Sequence, residues 1–315
     1  MYFPVRKGIF QRIHGYVRAV DGISFQVTAG DTIAIVGESG CGKTTVGKTI
    51  VRLYNPTSGY LQFRNQDYTL LSHSRIKQIK RRIRMVFQDP FSSLNPRMTV
   101  KNIIIEALDS DGKGLTKKET EKLVGELLER VGLDAKMAER YPHQFSGGER
   151  QRICIARALA GNPELIICDE ATSSLDVSVR AQILNLLQRI QARSGVAYII
   201  ITHDLSVVRY MANRVVVMYL GKVVEEGTVE EIFTEAKHPY TVTLLESVPR
   251  VDGTIERHVY VPAGDVPSPL NPPSGCHFHP RCPHALPECK IRYPDITSFT
   301  PTHKCRCFLY STNNN

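Results

Sequence analysis

The chain has 315 residues, of which 42% are hydrophobic and 23% charged, which is an ordinary globular composition. No run approaches the roughly 20 uninterrupted apolar residues that a membrane-spanning helix requires, and the first residues, MYFPVRKGIF, lack the apolar core of a secretory signal. These features argue against a membrane-spanning or secreted protein, and we expect the chain to stay in the cytoplasm.

The net charge is +9, from 40 Lys and Arg against 31 Asp and Glu, which is compatible with acidic partners such as nucleotides or nucleic acid. The densest basic run, residues 77–84 (KQIKRRIR), has apolar Ile79 and Ile83 four positions apart. This spacing is typical of a solvated helix face rather than a nucleic-acid arm. No aromatic-rich platform for single strands accompanies the charge, so we predict no nucleic-acid partner.

The first half of the chain contains a strand, a loop and a helix in succession. Residues 32–36 (TIAIV) form an apolar, β-branched run, the glycine loop 37–44 (GESGCGKT) follows, and residues 45–54 have a helical pattern. Further apolar runs occur at 164–170 (ELIICDE) and 197–204 (AYIIITHD), with a helical pattern between them. Alternating strands and helices predict an α/β fold with a mostly parallel sheet and ligands at the carboxyl ends of the strands.

The remaining segments predict a helical insertion and an irregular tail. Residues 99–160 are mainly helical in pattern, so we predict a helical subdomain, at about 89–160, inserted into a first domain of residues 1–240. Residues 215–233 predict a small hairpin and a helix. Ten prolines between 262 and 301 leave little room for regular elements in a second domain, 241–315, which must be held by turns, by the parent domain or by a metal.

The loop GESGCGKT matches the phosphate-binding pattern G-x-x-x-x-G-K-[ST] between a strand and a helix. Its glycines let backbone N–H groups turn inward around an anion, and the helix N-terminus adds its positive end. Lys43 is expected to contact the β- and γ-phosphates and Thr44 to bind Mg²⁺. The alternative is a tight turn with an incidental lysine. The candidate nucleotide ligands here are Gly37, Glu38, Ser39, Gly40, Cys41, Gly42, Lys43, Thr44 and Thr45.

Polar residues at the ends of other apolar runs are candidates for the chemistry. Asp169 and Glu170 would lie beside the phosphate loop if their strand is its neighbour, with Asp169 binding Mg²⁺ through water and Glu170 acting as the general base. The alternative is an acidic helix N-terminus. Gln88 would bind Mg²⁺ or the attacking water, and His203 would contact the γ-phosphate or serve as a structural hydrogen-bonding residue.

The stretch FSGGERQR (145–152) combines a helix start with two glycines. Ser146 and Glu149 form a capping box, which predicts a helix that begins at Ser146 and runs through Ala160. A helix cap does not require Gly147 and Gly148, which cost helix stability but leave the amides open to an approaching phosphate.

Taken together, GESGCGKT, Gln88, FSGGE, LIICDE, SSLD (173–176) and His203 resemble the ATP-binding subunits of ABC transporters over essentially the whole chain. The resemblance implies a P-loop NTPase core of the ABC type, similar to RecA. It also implies that FSGGE closes over the γ-phosphate of an ATP held by a second subunit, so that a head-to-tail dimer sandwiches two ATP. It assigns Gln88 to the loop that senses the membrane subunits, Asp176 to the dimer interface and His203 to the γ-phosphate.

Several segments narrow the resemblance to the dipeptide/oligopeptide importer ATPases: YFPV, QDPFSSLNPRMTV, HPYT and VPSPLNPPSGCHFHPRCP. The first two are closer to the F-type of the two ATPase subunits of these importers, so the dimer is either a homodimer or a heterodimer with a D-type subunit. Such relatives usually have a strand before YFPV, where this chain begins, and its first strand would be truncated. The aromatic side chain that stacks on adenine is therefore left open: Tyr2 or Phe3 by resemblance, Tyr16 by proximity to the core.

Eight cysteines in a reducing compartment are not expected to form disulfides. Cys41, Cys154 and Cys168 lie singly in apolar or glycine-rich elements and are interpreted as small buried hydrophobes. The other five lie between 276 and 307.

In the tail, five residues separate Cys276 from Cys282 and six separate Cys282 from Cys289, too wide for the paired cysteines of zinc ribbons. The resemblance implies a [4Fe-4S] cluster, with Cys307 as the fourth ligand and Cys305 as its rival. Zinc is the alternative cofactor, since three histidines could replace thiolates: His277, His279 and His284.

The resemblance thus implies an ATP- and Mg²⁺-dependent ATPase on the cytoplasmic face of the membrane, which drives two transmembrane permease subunits of a di- or oligopeptide importer. An extracytoplasmic peptide-binding protein would be an indirect partner. The alternative is a soluble ABC ATPase that acts on nucleic acid or translation. Those relatives usually carry two ATPase cassettes or long coiled coils in one chain, and this sequence has neither.

Overall fold

The structure, a computed structural model, describes residues 1–8, 10–109, 116–247 and 264–311. Its strands are β1 Tyr2–Lys7, β2 Arg12–Arg18, β3 Thr32–Val36, β4 Gln62–Phe63, β5 Gln66–Asp67, β6 Ile83–Val86, β7 Leu165–Asp169, β8 Ala197–Ile201, β9 Arg214–Tyr219, β10 Lys222–Thr228, β11 Thr297–Ser298 and β12 Lys304–Cys305. Its α-helices are α1 Lys43–Ile50, α2 His73–Arg82, α3 Pro90–Ser93, α4 Val100–Asp109, α5 Lys117–Arg130, α6 Gly147–Leu159, α7 Val177–Ser194, α8 Leu205–Met211, α9 Val229–Glu235 and α10 Pro239–Glu246. Short 3₁₀ segments span Ala135–Glu139, Pro142–Gln144, His279–Arg281, Pro287–Lys290 and Phe308–Tyr310.

An eight-stranded sheet forms the centre, in the order β11-β12-β10-β9-β3-β8-β7-β6. The five strands from β9 to β6 are parallel, whereas β10, β12 and β11 add antiparallel pairs at one edge. Every residue of β3 and β8 is buried, as expected for strands covered by helices on both faces. The expectation of a mostly parallel α/β sheet is confirmed.

The strand order does not meet the condition under which the sequence placed Asp169 and Glu170 beside the phosphate loop. β3 and β7 are not neighbours, because β8 lies between them. Ile201, the last residue of β8, pairs with Ile35 on one side and with Asp169 on the other. The carboxyl ends of the three strands are thereby aligned, and the loop after β3 meets Asp169 across the end of β8.

The basic run 77–84 is not a single helix. Its helix, α2, ends at Arg82, and Ile83 starts β6, where it pairs with Leu165 of β7. The expected helical pairing of Ile79 with Ile83 is therefore wrong, although both side chains are buried. The sheet overrides the local helical spacing because Ile83 gains both a ladder partner and a place in the core.

Helices α4, α5 and α6 pack around one apolar cluster and adjoin the sheet through β6 and β7. Its fully buried members include Ile104, Leu128, Ile153 and Ile166. Helix α6 is capped by Ser146, so its start agrees with the capping box, and it ends at Leu159 with Ala160 as C-cap. No helix in the described ranges combines the length and the hydropathy needed to cross a membrane.

The tail packs onto the antiparallel edge of the sheet. Glu225 of β10 pairs with Cys305 of β12, and Phe278 is buried against the rings of Tyr219 and Tyr240. The proline-rich residues thus gain their order from the parent sheet and from short turns.

A candidate nucleotide site

The phosphate loop, residues 37–44, joins β3 to α1 in a conformation that requires glycine. Gly37, Gly40 and Gly42 have φ angles of 150°, 79° and 105°. A Cβ at Gly37 would lie 2.2 Å from the carbonyl oxygen of Met218, and one at Gly42 would lie 1.9 Å from that of Ala19. No other residue type fits these two positions, and the loop backbone is held around the N-terminus of α1, where an anion would bind.

Lys43 is 5% exposed, and its ammonium group curls back over the loop. Nζ donates hydrogen bonds to the carbonyl oxygens of Gly37 at 2.7 Å and Glu38 at 2.9 Å. These carbonyls orient the positive charge at the mouth of the loop, where β- and γ-phosphate oxygens could replace them as acceptors.

Thr44 and Asp169 lie together although 125 residues separate them in sequence. The Thr44 hydroxyl donates to Oδ1 of Asp169 at 2.9 Å, and Asp169 is 2% exposed. Burial raises the pKa of Asp169, and the neighbouring charge of Glu170 adds to this, while the Thr44 hydrogen bond opposes it. A hydroxyl and a buried carboxylate are hard oxygen donors that suit Mg²⁺, which usually takes its other ligands from phosphate and water.

The Glu170 carboxylate contacts two residues that follow other strands of the sheet. Gln88, after β6, donates from Nε2 to Oε2 of Glu170 at 2.8 Å, and Nδ1 of His203, after β8, lies 3.2 Å from Oε1. The Glu170 backbone has φ 46°, and its N–H donates to the carbonyl of Ile201. Three strand ends thus converge on one carboxylate, which could take a proton from a water molecule.

The segment 146–149 forms the expected cap at the start of α6. The Ser146 hydroxyl accepts from the N–H of Glu149, and the Glu149 carboxylate accepts from the N–H of Ser146. Between residues 146–149 and 37–45, all of which the structure describes, no hydrogen bond is formed. A Cβ at Gly148 would lie 2.5 Å from Cγ1 of Val179, so close packing of α6 on α7 requires this glycine whether or not a phosphate approaches.

Asp176 makes its side-chain hydrogen bonds at the start of α7. Its carboxylate caps α7, accepting from the Val179 N–H at 2.9 Å and the Ser178 hydroxyl at 2.7 Å.

The aromatic candidates for adenine lie on the β1–β2 hairpin. Phe3 packs edge-on against Tyr54 with 5.2 Å between ring centroids, whereas the Tyr2 hydroxyl donates to Asp21 at 2.6 Å. Tyr16 is 48% exposed. One open pocket brings two of the three candidates together, and its lining residues are Tyr2, Tyr16, Arg18, Leu270, Asn271 and Pro272. Phe3 does not line this pocket.

Cys41, Cys154 and Cys168 are buried, as expected for small hydrophobic residues. Burial raises the pKa of Cys154 to about 11 and that of Cys168 to about 12. These thiols therefore stay protonated at neutral pH and are not nucleophiles.

Four of the five tail cysteines line one small cavity: Cys276, Cys282, Cys289 and Cys307. Cys305 does not line it and lies in β12 beside β10. His279 and His284 reach the cavity, while Nδ1 of His277 lies 3.2 Å from the carbonyl of Leu220. Burial raises the pKa of Cys276 to about 11 and that of Cys307 to about 12.

The expected metal centre in the tail is not supported by this arrangement. Within the described part of the chain, no three or more His, Cys, Asp or Glu side chains are grouped so that they could hold a metal ion.

A contact between the tail and the phosphate loop was missed by sequence reasoning. Arg281, 9% exposed, donates to both carboxylate oxygens of Glu38, at 2.8 and 3.1 Å. The only sequence signal is an arginine inside HPRCP, and its partner is 243 positions away.

Comparison with known proteins gives consistent matches along the chain. Residues 20–173 match the family described as ABC transporter, and residues 224–289 match the one described as oligopeptide/dipeptide transporter, C-terminal region. The oligopeptide transport ATP-binding protein AppF of Bacillus subtilis (strain 168) is 52% identical over 313 residues, which are 98% of this chain and 95% of AppF. The dipeptide transport ATP-binding protein DppF of Haemophilus influenzae is 45% identical over 308 residues, 98% of this chain and 93% of DppF.

Among solved structures, the dimeric post-hydrolysis state of the ATP-binding cassette MJ0796 bound to ADP and Pi matches with a TM-score of 0.64 and 29% identity. The match covers 72% of this chain and 96% of MJ0796.

Proposed function

Since the chain belongs to the ABC transporter ATP-binding proteins of the oligopeptide/dipeptide group, we propose that it binds and hydrolyses ATP to drive the import of di- or oligopeptides through separate membrane subunits. The observation that carries the proposal is the convergence of Gln88, Glu170 and His203 beside a phosphate loop and the Thr44–Asp169 pair.

ATP binding uses the phosphate loop and Lys43. As the β- and γ-phosphates enter, the Lys43 ammonium exchanges the carbonyls of Gly37 and Glu38 for phosphate oxygens. The N–H groups at the start of α1 bind the same phosphates. Tyr2, Phe3 and Tyr16 remain the candidates for stacking on adenine, and two of them, Tyr2 and Tyr16, line one open pocket.

Thr44, Asp169 and Gln88 would hold Mg²⁺. The fit rests on their hard oxygen donors and on the burial of Asp169. Mg²⁺, when bound, neutralises charge on the phosphates.

Hydrolysis uses Glu170 as the general base. The carboxylate accepts the proton of the attacking water, and Gln88 and His203 keep it in one orientation. His203 is 61% exposed, so its imidazole is also accessible to the γ-phosphate.

The second half of each ATP site comes from another subunit. Among the described residues, no hydrogen bond joins this chain's own phosphate loop to the residues assigned to the second half of the site, Ser146, Gly147, Gly148, Glu149 and Asp176. Ser146 and Asp176 are exposed. We propose a head-to-tail dimer with a second copy or with a D-type subunit. The dimeric state of MJ0796 is in keeping with this arrangement.

The proposed domains are 1–240, with the helical subdomain at about 89–160, and 241–315. Residues 9, 110–115, 248–263 and 312–315 lie outside the described ranges. The partners would be two permease subunits and, indirectly, a peptide-binding protein, and the chain would lie at the cytoplasmic face of the membrane. The alternative role in nucleic-acid or translation chemistry is not favoured, because the relatives are named for peptide transport.

For the tail we propose a [4Fe-4S] cluster held by Cys276, Cys282, Cys289 and Cys307. Four thiols around one cavity are the usual donor set for such a cluster, whose four thiolates bind four different iron atoms. Zinc is the alternative, and its ligands would come from the same cavity residues together with His279 and His284. The cluster, when bound, would join four points of a proline-rich tail.

Co-purification of the chain with its membrane subunits tests the function. We expect ATP hydrolysis by the complex to rise when a peptide-loaded binding protein is added. Co-purification with nucleic acid and no response to peptide would favour the alternative.

A further inference from the structure

Glu38, the second residue of the phosphate loop, is held at three points. Its carboxylate accepts two hydrogen bonds from Arg281, at 2.8 and 3.1 Å. Its N–H donates to the hydroxyl of Tyr240 at 2.7 Å, and its carbonyl accepts from Lys43 at 2.9 Å. The orientation of this peptide unit therefore affects both the loop and the lysine that meets the phosphates.

Arg281 belongs to the part of the tail that carries three of the cavity cysteines, residues 275–289, here termed the cysteine segment. Cys282 follows Arg281 directly, and Phe278 lines the cysteine cavity. The Arg281 guanidinium also donates to the Tyr219 hydroxyl at 3.3 Å. The segment's fold thus determines where the guanidinium points.

A buried aromatic cluster links the cysteine segment rigidly to the groups that contact Glu38. The rings of Tyr219, Tyr240 and Phe278 pack pairwise with centroids 4.7 to 5.4 Å apart, and all three side chains are 1% exposed. Tyr240 contacts Glu38, Tyr219 contacts Arg281, and Phe278 lies within the cysteine segment. A displacement of the segment would consequently move both groups that hold Glu38.

We propose that Arg281 is a positioning residue for nucleotide binding: it orients Glu38 in the phosphate loop and makes nucleotide affinity depend on the fold of the cysteine segment. A bidentate guanidinium–carboxylate pair is suited to this task because it fixes direction as well as distance. The inference rests on the proposed function, since it assumes that the loop binds ATP or ADP. Binding and segment order should then be coupled in both directions.

The first test is a double-mutant cycle on the full chain, titrated with a fluorescent ADP analogue and Mg²⁺. Arg281→Gln and Glu38→Gln should each raise Kd about tenfold, and the double variant should bind like either single variant because the same pair is lost. In steady-state ATPase assays KM should rise while kcat stays within about twofold. Lys122→Gln is the control, because Lys122 makes an exposed ion pair with Glu126 in α5, outside the tail, and it should bind like the unaltered chain.

The binding measurements distinguish a failure of the proposed ATP-binding function from a failure of the positioning role of Arg281. An unaltered chain that fails to bind the analogue would refute the proposed function. If that chain binds and Arg281→Gln binds equally well, or if the two single effects add, only the positioning role is refuted.

A second test does not depend on how well Arg281→Gln folds. Hydrogen–deuterium exchange of the cysteine segment is measured with and without ADP in the unaltered chain and in Glu38→Gln, which leaves the segment's own residues intact. ADP should slow exchange in the unaltered chain and have little effect in Glu38→Gln at saturating ADP. Equal slowing in both proteins would overturn the proposal.

Discussion

The side-chain amide of Gln88 donates a hydrogen bond of 2.8 Å to the carboxylate of Glu170, across 82 positions of sequence. His203 approaches the other carboxylate oxygen, so Glu170 is held from both sides. A base fixed in one orientation loses less free energy in reaching the attacking water than a mobile one does.

Glu170→Gln should reduce ATP hydrolysis about 100-fold or more while leaving ATP binding intact, because the amide keeps the shape but cannot accept the proton. The variant should accumulate as an ATP-bound dimer, measurable by gel filtration. Glu164→Gln, which alters an ion pair to Arg64 away from the site, is the control. Undiminished hydrolysis in Glu170→Gln would remove Glu170 as the base.

Gly148→Ala should lower the free energy of unfolding by about 1–3 kcal/mol, because the new Cβ would lie 2.5 Å from Cγ1 of Val179. The added change Val179→Ala removes that methyl group and should restore the thermal midpoint. If glycine also serves an approaching phosphate, the double variant will regain stability but not ATPase activity. Full recovery of both would reduce Gly148 to a packing role.

Glu231→Gln tests whether hydrogen bonds to the Glu231 carboxylate stabilise the contact between the tail and α9. The Glu231 carboxylate accepts from Thr300 and Thr302 of the tail and from Thr228. Burial opposes its ionisation, but the hydrogen bonds from Thr300, Thr228 and Thr302 outweigh it and lower the pKa of Glu231 to about 2.

Because this folded-state pKa is below the ordinary value of 4.5, the carboxylate stabilises the fold above pH 4.5, and the effect is lost as pH falls from 4.5 towards 2. Glu231→Gln should therefore melt at a lower temperature than the unaltered chain at pH 7, and the gap should shrink at pH 3.5. Glu230→Gln, on the same helical turn, is the control. A gap that is constant from pH 7 to 3.5 would contradict the assignment.

Cys307→Ser should abolish iron–sulfur absorption near about 400 nm in anaerobically prepared protein, because Cys307 lines the cavity with the other three cysteines. Cys305→Ser should keep that absorption, since Cys305 lies in β12 outside the cavity lining. Iron and sulfide analysis provides the stoichiometry. Colourless, unaltered protein with stoichiometric zinc would contradict the cluster.

Much of the site could be predicted because its parts are local. The turn of residues 37–44 depends on glycines whose φ values only glycine adopts easily, and the capping box of Ser146 and Glu149 spans four residues. Such features depend only on residues that are close together in the sequence. The helix boundary at Arg82 was missed because a sheet partner, Leu165, outweighed the local helical spacing of Ile79 and Ile83.

The sequence by itself determined the phosphate loop and the residues that follow each strand, since local backbone chemistry decides these. Only the tertiary structure decided that β8 lies between β3 and β7, that four of the five tail cysteines share one cavity, and that Arg281 reaches Glu38. These relationships depend on strand order and on side-chain packing between distant segments. The spacing of residues within one segment cannot predict these relationships, because the free energy that selects them is gained only when the whole core is assembled.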